Sequence, residues 1–452
     1  MNTTNRNILI SCVVLLVVFC LCLSVVVVAG AGLILITSRE VSSLNLQPLM
    51  SSPPTADTVE GQMDQIQDQV IELRGLNPTS TVNRTLLSQE QLRQHVYEDL
   101  LEDYSPEEAI DDARVLSAFG LLSEDFDLYN FYQELYSEQI AGFYDQETKE
   151  MYVVQGEGFA GPERLTYAHE YIHVLQDQTY DIENGLNYND ESCEQDSERC
   201  AAIQALIEGD ASYAEFAWYS ENSTAEDRRQ IAEFYTEFQS PVYDNAPAFM
   251  REDFVFPYEA GQEFVKALYE QGGWEAVNAA YANLPVSTEQ ILHPERYPED
   301  MPEPVTLPDF SGVLGDGWSE LEQGVMGEWY TYLILAYGLD EQGRLDIDRA
   351  KQAADGWEGD AYKVYYNESL GEPVVLLRTL WDSPSEAEEF ANAFSDYATE
   401  RFGNPVSEEE GSRTWQDGRS IINLRQEAET TTWVFAPDSS TAQLILDSMP
   451  SP

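Results

Sequence analysis

The residues with the clearest chemical meaning lie in one short stretch, His169-Glu170-Tyr171-Ile172-His173. This is an H-E-x-x-H pattern, and on a helix the side chains at positions i and i+4 share one face. Both imidazoles can therefore bind one metal ion, with Glu170 beside them as general base for a metal-activated water. Imidazole ligands and an open position for water favour zinc. We predict that His169 and His173 bind Zn²⁺.

A catalytic zinc site needs a third protein ligand. Residues 201–212 are mostly apolar, and their only charged side chains are Glu208 and Asp210. Glu208 follows the most apolar part of this stretch, where an unpaired carboxylate would be costly, and we predict it as the third ligand. Asp210 is the alternative, either as ligand or as acceptor for a ligand histidine. The interpretation without a metal is a helix broken at Gly209 and flanked by surface acids.

Two helices and a hairpin are predicted to position these residues. A helix over about residues 162–178 carries the motif, and another over about residues 200–220 carries Glu208. Before them, residues 143–154 read as a short β-hairpin with a polar turn. The predicted order of elements at the site is therefore hairpin, motif helix and ligand helix.

The net charge of the chain excludes one class of partner. With 82 acidic and 23 basic residues among 452, the formal net charge is −59. A field this negative repels a phosphate backbone, so we predict no nucleic-acid partner. The hydrophobic content of 43% and the aromatic content of 12% are nevertheless enough for a large folded core.

The N-terminal segment predicts attachment to a membrane. Residues 8–35 contain no charged side chain and exceed the roughly 20 residues that span a bilayer. We predict an uncleaved single-pass anchor in the cell membrane, with the N-terminus inside and the C-terminal domain extracellular; the alternative is a cleaved signal peptide. Cys193 and Cys200 are the two cysteines outside this segment, and we predict that they form a disulfide.

The motif and its downstream glutamate resemble a known class of enzymes. H-E-x-x-H followed by a glutamate on a later helix is similar to the gluzincin zinc metallopeptidases. The strings A-H-E-Y-I-H-V-L-Q-D-Q and A-L-I-E-G-D-A resemble largely uncharacterised prokaryotic metallopeptidase-like proteins that are membrane-anchored or secreted, over about residues 72–452. The resemblance implies that an edge strand at 151–154 holds the substrate backbone in extended form. The N-E-x-x-S-D and G-x-x-N-E-x-x-S patterns of thermolysin-like members are absent.

The resemblance also implies a residue that stabilises the oxyanion, because many gluzincins use a distant histidine or tyrosine for it. We predict His293, at the end of a helix before a Pro-rich loop, as this catalytic residue; Tyr180 and Tyr330 are alternatives. The structural alternative is a histidine that binds the last carbonyls of its own helix. Glu328, an acid in an apolar helix, either orients a ligand or binds a core tyrosine.

The whole pattern predicts a mainly helical α+β protein with a gluzincin-like catalytic domain. Ser105-Pro106-Glu107-Glu108 marks a helix start, and Asp417-Gly418 marks a two-residue hairpin turn. Further helices are predicted at 225–238, 258–271, 274–283 and 318–336. The predicted segments are a cytoplasmic tip and transmembrane anchor at 1–37, a Ser/Pro-rich tether at 38–60, the mainly helical zinc metallopeptidase-like domain at 61–365 and a C-terminal α+β module at 366–452.

The sequence thus predicts a membrane-tethered extracellular zinc metallopeptidase. It would hydrolyse peptide or protein substrates, with His169, His173 and Glu208 holding Zn²⁺ and Glu170 moving the proton. The alternative is a noncatalytic surface or envelope-interaction protein with a structural or vestigial zinc site. The catalytic prediction leads because a merely structural site would not need Glu170.

Overall fold

A computed structural model of the chain describes residues 58–95, 104–139, 142–146, 148–154 and 158–449. The fold is mixed α+β, as predicted, and its first part is mainly helical. The elements of this part are α1 (Val59–Arg74), β1 (Asn83–Leu87), α2 (Gln89–His95), α3 (Pro106–Ala118), α4 (Leu128–Gln139), β2 (Gly142–Asp145), β3 (Glu150–Val154), α5 (Gly161–Tyr180), α6 (Asp190–Gln195), α7 (Ser197–Asn222), α8 (Ala225–Glu237), α9 (Pro241–Asp244), α10 (Ala248–Ala280) and α11 (Thr288–Leu292).

The second part is built around one large sheet. Its elements are α12 (Ser311–Leu314), β4 (Trp318–Gly324), α13 (Gly327–Tyr337), α14 (Ile347–Ala354), β5 (Trp357–Asn367), β6 (Glu372–Trp381), α15 (Pro384–Phe402), β7 (Ser407–Glu409), β8 (Ser412–Asp417), β9 (Ser420–Glu427), β10 (Thr430–Ala436) and α16 (Ser439–Ser448). The seven strands are all antiparallel and lie in the order β4-β5-β6-β10-β9-β8-β7. The predicted Asp417-Gly418 hairpin joins β8 to β9.

The large sheet begins earlier than the predicted C-terminal module. The helix predicted at 318–336 is wrong over residues 318–326, because β4 pairs with β5 at 318–324 and α13 starts only at Gly327. Glutamate-rich β4 has helix-forming residues, and pairing with a neighbouring strand overrides that weak local preference. The predicted boundary at 366 falls beside the end of β5, inside the sheet. The division into domains itself stays a prediction.

A small sheet of three strands lies beside α5, in the order β1-β3-β2. Strand β1 runs parallel to β3, and β2 runs antiparallel to it. The strand that the resemblance assigns to substrate, 151–154, is therefore the middle strand, and its backbone groups are engaged on both sides. Among the described strands of this sheet, β2 is an edge strand, and it is the one that contacts the motif.

The helices α7 and α10 pack unusually closely because glycines face each other. A Cβ built at Gly209 would lie 2.2 Å from the backbone of Gly261, and one at Gly261 would lie 2.0 Å from the Ala205 carbonyl oxygen. Gly209 is therefore an interior position of α7 rather than a helix break. Close packing here holds the ligand helix rigidly against the body of the protein.

The disulfide between Cys193 and Cys200 is present, as predicted, and it joins α6 to the first turn of α7. Both cysteines are buried. The loop that it closes is short, with a sequence separation of 7. It ties down the start of the helix that carries Glu208.

The prediction of a membrane anchor requires correction. The predicted span at 8–35 lies outside the described residues, and within the described part of the chain no helix combines the length and the apolar character needed to cross a bilayer. A cell-membrane location with an extracellular domain is therefore not carried forward.

Candidate metal centre

Helix α5 places the H-E-x-x-H motif inside the protein. It runs from Gly161 to Tyr180, close to the predicted 162–178, with a proline in its first turn and Asp181 in the left-handed conformation at its end. His169, Glu170 and His173 are each no more than 1% exposed. Polar side chains at this depth need partners, because burying an unpaired one is costly.

Helix α7 brings Glu208 to the two histidines. The Glu208 Oε2 atom lies 3.3 Å from His169 Nε2 and 3.4 Å from His173 Nε2. Potential ligand atoms of the three residues all lie within 4.8 Å of one another. Among the described residues, this is the one group of three His, Cys, Asp or Glu side chains that meets this spacing. The structure thus brings together the three predicted ligands, from two different helices.

The three side chains of this centre interact electrostatically. Burial lowers the pKa of His173, but the Glu208 carboxylate outweighs it and the net pKa is raised. Burial raises the pKa of Glu208, but the two histidines outweigh it and the net pKa is lowered. Within the described structure, the buried Glu208 Oε1 has no hydrogen-bond partner. A charged group that leaves one oxygen unsatisfied fits a metal ligand better than a closed ion pair.

The spacing of the donors also suits zinc. Donors placed tetrahedrally at ~2.1 Å from an ion lie about 3.4 Å apart. The two distances from Glu208 to the histidines match this separation. Two imidazoles and one carboxylate are a donor set that zinc accepts, with a fourth position left for water or substrate. The residues present therefore fit a zinc ion.

The other ring nitrogen of each histidine is held by a polar side chain. His169 Nδ1 lies 2.8 Å from Glu215 Oε2, and His173 Nδ1 lies 2.8 Å from Gln176 Oε1. A carboxylate only accepts, so the Nδ1 of His169 donates to Glu215. With Nδ1 protonated, the neutral imidazole presents the lone pair of Nε2 to the centre.

The orientation of Gln176 is fixed by its own donors. Its Nε2 has three acceptors within hydrogen-bond distance, which are the Ile207 carbonyl at 2.9 Å, Asp210 Oδ2 at 3.0 Å and the Tyr281 hydroxyl at 3.0 Å. The amide oxygen must therefore face His173 as an acceptor. Tyr281 in turn donates to Asp210 at 2.8 Å.

The alternative third ligand, Asp210, is committed elsewhere. Both its oxygens are bound by Arg74, with Nε to Oδ1 at 2.7 Å and Nη2 to Oδ2 at 3.0 Å. It also accepts from Gln176 and Tyr281. Asp210 therefore supports a ligand histidine at one remove, through Gln176, while Glu208 faces the centre.

Glu170 is in contact with the edge strand β2. Its Oε2 accepts a hydrogen bond from the backbone N–H of Tyr144 at 3.1 Å. The Tyr144 hydroxyl donates to Asp177 Oδ2 at 2.8 Å, and the Lys149 ammonium lies at the same distance from that oxygen. The hairpin thus contacts two residues of α5, Asp177 and the predicted base Glu170.

His293 contacts acids other than Glu208. It follows α11, and its Nε2 lies 2.9 Å from Glu328 Oε1. Burial lowers the pKa of His293, but the bond to Glu328 outweighs it and the net pKa is raised. Its other ionic neighbours in the described chain are Glu295 and Asp355, and none of these contacts involves the metal centre. The oxyanion role of His293 stays a prediction.

The two alternative tyrosines also have other partners. The hydroxyl of Tyr180 donates to Asn278 at 2.9 Å, and its ring stacks on Tyr281 with centroids 3.9 Å apart. The hydroxyl of Tyr330 donates to Asp253 at 2.7 Å. Both bonds fix these phenols within the packed protein rather than at the centre.

Sequence reasoning missed three residues that support the centre. Glu215 follows Glu208 by seven residues, two helical turns, so its position on the same face was readable from the helix period. Gln176 follows His173 by three and was readable in the same way. Arg74 comes from α1 and has no local signal, because only the tertiary fold places it beside Asp210.

The comparisons with known proteins concern the C-terminal part. A family model described as a domain of unknown function, DUF8575, matches residues 316–446. This range contains the seven-stranded sheet, from β4 to β10, and lies outside the metal centre. No curated protein and no solved structure matches the chain.

Proposed function

We propose that this protein is a zinc-dependent metallopeptidase of gluzincin type, with His169, His173 and Glu208 as ligands. The observation that carries the proposal is the convergence of two Nε2 atoms on one carboxylate oxygen, at 3.3 and 3.4 Å, beside a buried glutamate. A structural site would need only the ligands. Glu170 adds a group that can move a proton.

Zinc, when bound, would polarise the scissile carbonyl and make the attacking water more acidic. Glu170 is one residue from His169, and its Oε2 is held by the Tyr144 N–H. In the proposed reaction this carboxylate takes a proton from the attacking water and then delivers it to the nitrogen of the leaving amine. The two transfers return Glu170 to its starting state after each turnover.

The edge strand β2 is proposed to align the substrate. The N–H of Tyr144 points at Glu170 rather than at β3, so this edge of β2 faces the base. An extended peptide can add to a strand edge through main-chain hydrogen bonds, but Gly142, Phe143 and Tyr144 are buried, so substrate binding here requires this edge to open. In this proposal the resemblance to gluzincins is kept, but the substrate strand is 142–145 instead of the predicted 151–154.

The decisive experiment measures zinc content and peptide cleavage in the wild-type chain and in Glu170→Gln. The amide keeps the size of the side chain and can still accept from Tyr144, but it cannot take a proton. We expect zinc content to be unchanged and cleavage to fall by at least about 10²-fold. Unchanged cleavage in Glu170→Gln would refute the mechanism, and retained zinc without cleavage in the wild type would favour a noncatalytic site.

A second pair of variants assigns the third ligand. Glu208→Gln removes the charge that faces both histidines, and we expect it to lose zinc. Asp210→Asn keeps an acceptor for Tyr281 and leaves Glu208 in place, so zinc should be retained with lower affinity. Zinc lost from Asp210→Asn but kept in Glu208→Gln would reverse the assignment.

A further inference from the structure

A cavity of about 490 Å³ lies between α10, α13, α14 and the end of α11. Its volume is in the range of small-molecule sites, and the three donors of the metal centre are not among its lining residues. The acids of its wall are Glu252, Glu259 and Glu263 of α10, Glu328 of α13, and Asp355, which directly follows α14. Lys351 and His293 are the basic side chains of the wall.

Two of these acids have internal partners that neutralise them. Glu263 forms an ion pair with Lys266 at 3.0 Å. Asp355 is paired with Arg296. The negative charges of these two carboxylates are therefore already balanced by basic side chains of the protein.

The other three acids lack an ion pair or a hydrogen bond for part of the carboxylate. Glu252 and Glu259 are half-buried, and neither forms a salt bridge within the described residues; burial raises the pKa of Glu259, and the charge of Glu252 raises it further. Glu328 is 4% exposed, and its Oε1 accepts a hydrogen bond from His293, while its buried Oε2 has no hydrogen-bond partner in the described structure. The cavity thus carries more negative charge than its own cations satisfy.

The wall between these acids is aromatic. Phe256 stacks on Trp329 with ring centroids 4.4 Å apart, and Tyr332 follows with its centroid 5.3 Å from that of Trp329. The Lys351 ammonium lies 5.7 Å from the Tyr332 centroid, so this wall already faces one alkylammonium group. Aromatic faces beside carboxylates attract organic cations, through the ring quadrupole and through charge-assisted hydrogen bonds.

We propose that this cavity is a binding site for a small organic cation, an alkyl chain that ends in a guanidinium or ammonium group. The cationic head lies against Glu252, Glu259 and Glu328, and the alkyl chain packs on Phe256 and Trp329. A bare metal ion fits less well, because these acids do not approach one another closely enough to form a three-ligand group among the described residues. The site is independent of the proposed peptidase activity.

The test is calorimetric titration of the whole chain with butylguanidinium, and with butylurea as its neutral counterpart of the same shape. About 0.15 M salt screens the general attraction of cations to an acidic protein. We expect one saturable site for butylguanidinium. Butylurea should bind more weakly by about tenfold or more, because it lacks one charge-assisted contact. Equal affinities, or no saturable binding of butylguanidinium, would overturn the proposal.

Matched variants locate the site. Glu259→Gln removes one negative charge without an ion-pair partner from the wall. It should weaken the binding of butylguanidinium by about tenfold. Glu270→Gln is the control, because Glu270 lies on the same helix but is exposed and outside the cavity. The affinity of this variant for butylguanidinium should equal that of the wild type. Because Glu259 is only half-buried, its variant is expected to fold, and circular dichroism checks this. Equal weakening in both variants would show a general charge effect and refute the site.

Discussion

Arg74 and Asp210 form a bidentate ion pair that is fully buried behind the candidate metal centre, although they lie 136 positions apart in the chain. The pair connects α1 to the ligand helix α7 and, through Gln176, to His173. Helix α1 is therefore part of the fold that supports the centre. Its removal, as in the release of a propeptide, would leave the buried charge of Asp210 without its main partner.

The first prediction concerns this ion pair. Arg74→Met should lower the free energy of unfolding by about 3–5 kcal/mol, because it leaves a buried carboxylate uncompensated. Arg349→Met is the control, since Arg349 and its partner Asp396 are both exposed, and it should cost no more than about 1 kcal/mol. Urea unfolding followed by circular dichroism measures both. Similar losses in the two variants would contradict a special role for the buried pair.

The second prediction concerns Glu215, the carboxylate beside His169 Nδ1. Glu215→Gln should weaken zinc binding by about 10–100-fold, because the carboxylate that fixes His169 becomes a neutral amide. Glu221→Gln, an exposed acid near the end of the same helix, should leave zinc affinity unchanged. Competition with a fluorescent zinc chelator gives both constants. If the two variants bind zinc equally well, Glu215 does not support the centre.

The third prediction concerns stability and pH. Burial raises the pKa of Glu198 to about 8, and bonds from Thr288 only partly oppose this. The folded state thus binds this proton more tightly than the unfolded state, whose pKa is near 4.5. The associated stability is fully present below about pH 4.5 and is lost as pH rises through about 8.

Glu198→Gln tests this sign. The amide oxygen can still accept from the backbone N–H and hydroxyl of Thr288, which now bind Glu198 at 2.5 and 2.7 Å. Thermal unfolding is measured across pH. The free energy of unfolding of the variant, relative to that of the wild type, should rise by a few kcal/mol between pH 5 and pH 8.5. A difference between the two proteins that does not change with pH would refute the assignment.

The fourth prediction concerns the disulfide. Replacing Cys193 and Cys200 together by alanine should lower the free energy of unfolding by about 2–3 kcal/mol, the entropy of closing a loop of this length. Zinc content should be unchanged, because Glu208 lies two turns further along α7. Urea unfolding of the wild type with and without reductant is the control, and it should give the same difference. A loss of zinc in the double variant would mean that the disulfide also positions the ligand helix.

The sequence by itself determined the features that depend on local spacing. The motif histidines share a helix face because they are four residues apart, and α5 lies where the apolar pattern put it. The capping box at Ser105 and Glu108, the turn at Asp417-Gly418 and the disulfide are likewise local, and all are present. The role of Glu208 as a ligand could also be predicted from the sequence, because an acid in an apolar helix needs a counter-charge or a hydrogen bond.

Only the tertiary structure decided which distant groups meet. It placed Arg74 against Asp210, and it gave Glu208 rather than Asp210 to the histidines. It also made β3 the middle strand and turned 318–324 into an edge strand of the large sheet, because strand pairing is set by partners elsewhere in the chain. His293, predicted from its place at a helix end and from the resemblance to gluzincins, lines an acidic cavity whose lining does not include the three predicted zinc ligands. A sequence fixes the angle between neighbours on a helix, whereas contacts between elements depend on how their faces pack.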